Sequence, residues 1–287
     1  NLYGFYAHRV FVPQDVALKP VAGNGFAAEI DRRWQGHIAG LAPKKSQLYL
    51  SIVRRPEIGA RVPLLSAFAK RTWMKDRAAR CRELDEVTGF FETALGSAKP
   101  VRLDNSNGEW LGFLGTLLTG QYTPIAQPST PLPLAHALGS CRATFEGDTT
   151  RVTCGTTGVP RYGALFSIKS YPALTDVSLF DGLDLPLDVV LTNSFTPIPI
   201  NIMAERIQRI VRQMRAADDA AVSLRDQLMD AADDQEAGRI AFGDHHLSIA
   251  VYAPDEPTLE QAAAEIKRLG QENMAVIVRE TMALKAT

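Results

Sequence analysis

"GRIAFGDHHLSIAVYAPDEPTLEQAAAEIKRLGQENMAVIVRE", residues 238–280, is the stretch whose reading decides the fold. Leu247, Ile249 and Val251 alternate with Ser248, Ala250 and Tyr252, the period of a half-buried strand. Past Pro254, Leu259, Ala263, Ile266 and Leu269 fall on one helical stripe, and Gly270 follows them. MAVIVRE then reads as a second strand. A strand–helix–strand unit this short implies a parallel pair with a right-handed crossover.

The same stretch carries the first candidates for chemistry, Asp244, His245 and His246. Neighbouring strand residues point to opposite faces. His245 is in phase with Leu247, Ile249 and Val251, which places it at the core or its rim. Only Asp244 and His246 can share a face, giving two donors where a catalytic zinc needs three from the protein. His8, His37 and His136 add no HxH or HExxH spacing. Gly243-Asp244 supplies a turn into the strand, so these residues read as structural. A metal-dependent hydrolase using Asp244 and His246 is the enzyme-class alternative.

Upstream, Asn201 to about Glu236 contains neither Pro nor Gly. Met203, Ile207, Ile210, Met214, Ala217, Ala221, Leu224, Leu228 and Ala231 recur at alternating spacings of 4 and 3, a heptad seam. One unbroken helix of that length reaches roughly 50 Å; a helical hairpin turning near Ala216–Asp219 is the other solution. Arg206, Arg209, Arg212 and Arg215 spread over an arc of this segment, answered further along by Asp218, Asp219, Asp226, Asp230, Asp233 and Asp234. They are a solvated face or a surface for an anionic partner: lipid headgroups, nucleic acid or an acidic protein. A nucleic-acid-binding module using Arg206–Arg215 is the second alternative.

RYGALFSIKSYP, with Tyr162, Ala164, Phe166 and Ile168 alternating, and LPLDVVLTNSFTPIP read as strands stopped by proline. In CRATFEGDTTRVTC the Gly147-Asp148 dipeptide suits a two-residue hairpin turn. Folding there sets Cys141 opposite Cys154, Ala143 opposite Val152 and Phe145 opposite Thr150. In a reducing cytosol such cysteines serve as small hydrophobes. QYTPIAQPSTPLPL is a proline-rich connector, and EWLGFLGTLLTG a short helix. Residues 64–96 read as a helix with a basic excess at Lys70, Arg71, Lys75, Arg77, Arg80 and Arg82. The N-terminal part reads strand (LYGFYAHRVFV), helix (Phe26, Ile30, Trp34, Ile38 in step), strand (QLYLSIVRRP). GLAPKKS lacks the glycines of a phosphate loop and leads from helix into strand, the wrong order.

Composition fits a globular chain: 287 residues, 46% hydrophobic, 22% charged, net charge −1. No global field recruits nucleic acid or membrane, and no apolar run approaches the ~18 residues of a membrane span. The chain opens at Asn1 in strand-like sequence and stops at Thr287 just after another strand, which reads as a fragment of something longer. Strands alternating with helices on one face predict ferredoxin-like α/β sandwich subdomains with mixed sheets. The expected division is 1–120, a first α/β subdomain with a helical insertion; 121–160, connector and hairpin; and 161–287, a second α/β subdomain with the heptad helix or hairpin.

SFTPIP, QMRAADDA and GRIAFGDHHLSIAVYA, in that order, closely resemble the N-terminal region of the CagE/TrbE/VirB family of type IV secretion and conjugation ATPases. The resemblance covers roughly residues 160–285, and more loosely the elements from LYGFYAHRV to QLYLSIVRRP. It implies that a P-loop domain holding ATP and Mg follows in the family and is absent here, so this fragment carries no catalytic, cofactor or metal residue of its own. It further implies a homo-oligomer, hexameric in assembly, peripheral to the cytoplasmic face of the bacterial inner membrane. Its N-terminal domain would dock onto small inner-membrane components of the secretion machine.

Overall fold

The computed structural model describes residues 3–13, 25–40, 44–55, 66–129, 133–138, 141–154, 158–172, 175, 187–216 and 222–281. In chain order the first elements are β1 (Tyr3–Pro13), α1 (Phe26–Gly40), β2 (Lys44–Arg54) and α2 (Ser66–Ala94). Next come α3 (Glu109–Thr119), α4 (Leu134–Ala137), β3 (Cys141–Glu146), β4 (Thr149–Cys154), β5 (Pro160–Ser170) and β6 (Asp188–Pro197). The chain continues with α5 (Ile200–Ala216), α6 (Val222–Glu236), β7 (Gly243–Ala253), α7 (Glu256–Glu272) and β8 (Val276–Arg279). This is the mixed α/β architecture that the alternation of periods predicts.

The strands lie in the order β2-β1-β6-β7-β5-β4-β3, with β8 also paired to β5. The β3–β4 hairpin has the expected register, Cys141 opposite Cys154 and Phe145 opposite Thr150. Its turn places Gly147 at φ +63°, a region that L side chains avoid. One expectation changes. β7 and β8 are not neighbours, because β5 lies between them and takes Ile249 opposite Phe166 on one edge and Arg279 on the other. Both run antiparallel to β5 and are therefore parallel to each other, one strand apart, with α7 crossing over β5. This central strand thus has both edges hydrogen-bonded, which pairs its buried backbone groups.

Of the two solutions for the heptad segment, the structure takes the hairpin. α5 and α6 pack against each other. In one continuous rod Ala216 and Val222 alone would already stand about 9 Å apart along the axis, and every other pair farther. The segment is therefore the hairpin; residues 217–221 lie outside the described residues. The heptad seam is correspondingly interrupted: Ile207 and Val211 are buried, whereas Ile210 and Leu224 face solvent.

The chain forms two compact units interleaved in sequence, so neither coincides with one continuous run of residues. One comprises Asn1–Ala7, Leu50–Val101 and Asn193–His246; the other, His8–Tyr49, Arg102–Thr192 and Leu247–Thr287. In the second, Ala164, Phe166 and Ile168 of β5 and Leu247, Ile249 and Val251 of β7 meet Leu259, Ala262, Ala263, Ile266 and Leu269 of α7. Burying each large side chain is worth roughly 1.5–3 kcal/mol. Asp255 starts α7 by accepting the Thr258 backbone N–H at 2.8 Å. In the first unit, the Phe5 and Phe91 rings lie 5.3 Å apart, and Arg54 Nε donates to Glu83 at 2.8 Å.

Candidate functional site

The residues singled out at the mouth of β7 engage protein partners. Asp244 Oδ1 lies 3.5 Å from Arg206 Nη1, with both side chains well exposed. His245 Nε2 is 3.2 Å from Asn193 Oδ1. Of the core or its rim, which the phase with Leu247 leaves open, His245 takes the rim: its ring is exposed, because the apolar cluster ends at Leu247. Partial desolvation, then the adjacent His246, lowers its pKa. His246 is exposed, and its backbone carbonyl accepts the Ser194 hydroxyl at 3.3 Å. Asp244 thus answers a guanidinium, and among the described residues no three His, Cys, Asp or Glu side chains converge as metal ligands.

Arg209, Arg212 and Arg215 are exposed on α5 with no ion partner among the described residues; only Arg206 of the four is paired. The lysine–serine pair that superficially resembles a phosphate loop sits in β2, where Ser46 Oγ accepts from Arg9 Nε at 3.0 Å. Of the basic segment on α2, Arg77 and Arg82 are exposed and Arg80 is half-buried; the side chains of Lys70, Arg71 and Lys75 lie outside the described residues.

The strongest polar centre went unread in the sequence. Asp188, the first residue of β6, is buried and receives Lys44 Nζ on one oxygen and Arg161 Nη2 on the other. Arg161 Nη1 also donates to the Thr119 carbonyl at 3.1 Å, at the last turn of α3. Beside it the Tyr252 hydroxyl donates to the Leu118 carbonyl at 2.9 Å, and burial pushes that phenol up to about 12. A cation and a phenol thus collect carbonyls that the end of α3 leaves open, where the helix dipole favours positive charge. Gly120 follows at φ +72°, and a Cβ there would stand 2.3 Å from Tyr252 Cδ2. The carboxylate is held by two cations and the phenol is committed to a carbonyl, so the cluster braces the fold rather than offering an acid or base. The available signal was a lone aspartate inside the apolar run LPLDVVL.

Arg279, also buried, works the same way on β8. It reaches Glu260 of α7 at 2.7 Å, Asp148 Oδ2 at 3.0 Å and Thr149 Oγ1 at 2.9 Å. Strand, helix and hairpin turn are tied at one guanidinium.

Against these satisfied polar groups stands unsatisfied apolar surface. The stripe expected to seat α1 is turned to solvent: Phe26 is 83% exposed, Ile30 52% and Trp34 55%. α1 buries Ala28 instead. The edge strand β2 adds Leu48, 77% exposed. No helix among the described residues is long and apolar enough to cross a membrane.

The sheet is capped by α7, its charges are locked in struts, and apolar side chains of α1 and β2 are left exposed. The sequence places the chain in a class. Residues 95–287, about two thirds of the chain, match the CagE, TrbE, VirB family, component of type IV transporter system, and the chain belongs to that family.

Among individual relatives, it is 28% identical over 275 residues to the type IV secretion system protein virB4 of Bartonella quintana, covering 92% of this chain and 35% of that protein. To the protein of the same name from Bartonella henselae it is 27% identical, over 98% of this chain and 37% of that protein. Protein virB4 of Agrobacterium fabrum is 26% identical over 98% of this chain and 36% of its own length. The chain therefore spans about a third of the length of these curated relatives.

Proposed function

We propose that this chain is the N-terminal docking and assembly region of a type IV secretion ATPase. It binds inner-membrane components of the machine and neighbouring copies of itself, in a hexameric assembly on the cytoplasmic face of the inner membrane. ATP and Mg belong to a P-loop domain beyond this region, and the present residues contribute no catalytic group.

The carrying observation is the exposed apolar stripe Phe26, Ile30 and Trp34 of α1, in a unit whose edge strand also exposes Leu48. Large side chains at i, i+4 and i+8 anchor one helix face to a partner, and aromatic residues dominate binding energy at such faces. An open strand edge adds main-chain donors and acceptors for a partner strand. The α5–α6 hairpin, with Arg209, Arg212 and Arg215 free of ion partners among the described residues, supplies a charged surface for acidic neighbours.

The test uses the whole protein in its bacterial host. Phe26→Asp with Trp34→Asp should move it from the membrane fraction to the soluble fraction and stop substrate transfer, with ATP turnover of the purified protein retained. Unchanged membrane association in the double variant refutes the docking assignment.

A further inference from the structure

Within the first unit, a shallow groove of about 160 Å³ is lined by Arg54 at the end of β2 and by Arg77, Arg80, Cys81 and Leu84 of α2. The helical residues sit at i, i+3, i+4 and i+7, so one face of α2 turns two arginines toward the end of the strand. Such an inward face ordinarily carries apolar residues or carboxylates that answer a basic neighbour. Here Arg54 is answered by Glu83, whose carboxylate accepts its Nε at 2.8 Å. The Arg54 side chain is only 9% exposed, and Arg80 is half-buried. Neither Arg77 nor Arg80 has an ion partner among the described residues. The groove therefore holds two guanidiniums, Arg77 and Arg80, that no carboxylate among the described residues answers.

We infer that this groove is a phosphoryl-anion site. Arginine presents planar, fixed donor forks that match tetrahedral oxyanions bidentately, and two such forks open onto a partly desolvated surface. Pockets for drug-sized ligands run to roughly 300–1,000 Å³, and this smaller groove has room for an inorganic phosphate or one phosphoryl headgroup. The site is independent of the docking face on α1, and either assignment can fail without the other.

Cys81 is exposed and lines the same groove, so its alkylation reports occupancy. The full chain is treated with iodoacetamide and the Cys81 peptide is quantified by mass spectrometry, at ionic strength matched with chloride. Inorganic phosphate at twice its Kd should slow Cys81 labelling about threefold, following 1 + [L]/Kd. Arg77→Ala with Arg80→Ala should abolish the protection, and Arg80→Lys, which keeps charge without the fork, should weaken it. Circular dichroism confirms that each variant is folded. Protection by phosphatidic acid vesicles, with none from phosphate or phosphatidylcholine vesicles, assigns the phosphoryl group to a lipid headgroup; protection by phosphate alone assigns a free anion. Equal protection by glutamate, protection that persists in the double variant, or no protection by either phosphoryl probe overturns the site.

Discussion

His8 offers a quantitative test of the packing in the second unit. Its side chain is 5% exposed, its Nδ1 lies 3.0 Å from Thr192 Oγ1, and its ring meets Phe113 edge-on at 5.4 Å. Burial pushes its pKa down from 6.5 to about 4. Between those values the unfolded chain holds the extra proton, so stability rises with pH across that window and is fully present above the unfolded value. As pH falls from 6.5 toward 4, up to about 3 kcal/mol is lost; at about pH 5 the loss is roughly 2 kcal/mol. His8→Gln keeps a polar partner for Thr192 and cannot titrate. Urea unfolding of both proteins at about pH 7.5 and about pH 5 separates this residue from the carboxylates, which titrate alike in both. The wild type should lose roughly 2 kcal/mol more than the variant on acidification. Equal losses, or an NMR titration of the His8 ring near 6.5, would refute the burial argument.

Three further outcomes follow from the struts and turns. Asp188→Ala leaves Lys44 and Arg161 facing each other without their carboxylate and should cost about 3–5 kcal/mol by chemical denaturation; a loss under 1 kcal/mol would mean that solvent reaches the pair. Gly120→Ala forces a side chain onto Tyr252 at positive φ and should destabilise by at least ~2 kcal/mol, whereas Gly147→Ala, with nothing within 4 Å of the added methyl, should lose only the smaller backbone term. Arg279→Met should raise amide exchange in β8 and the β3–β4 turn while leaving β6 protected, and uniform protection throughout would show that the guanidinium ties nothing together.

Local pattern made much of this fold legible. The stripe of α7, the alternation of β5 and β7 and the Gly147-Asp148 turn each depend on neighbours in sequence, and the β3–β4 register emerged as expected. Signals failed where distance along the chain decides the outcome. Nothing in LPLDVVL tells that Asp188 meets Lys44 and Arg161, residues far off in sequence. The heptad spacing continues through residues 216–222 with no proline or glycine to announce a reversal, so a hairpin and a rod look alike until packing chooses. His245 keeps the phase of Leu247, yet phase cannot tell where along β7 the apolar cluster stops. Periodicity likewise predicted the apolar stripe of α1 but could not say that the stripe faces outward.

The exposed stripe is also where the functional reading is most open to contradiction. The most direct measurement is the affinity of the purified chain for detergent-solubilised inner-membrane components of its own secretion machine, by biolayer interferometry, with and without Phe26→Asp and Trp34→Asp. Docking through α1 predicts saturable binding by the native chain, weakened at least about tenfold in the double variant, since truncated aromatic anchors typically cost 2 kcal/mol or more. Equal affinity of the two proteins, or no binding by either, would contradict the account.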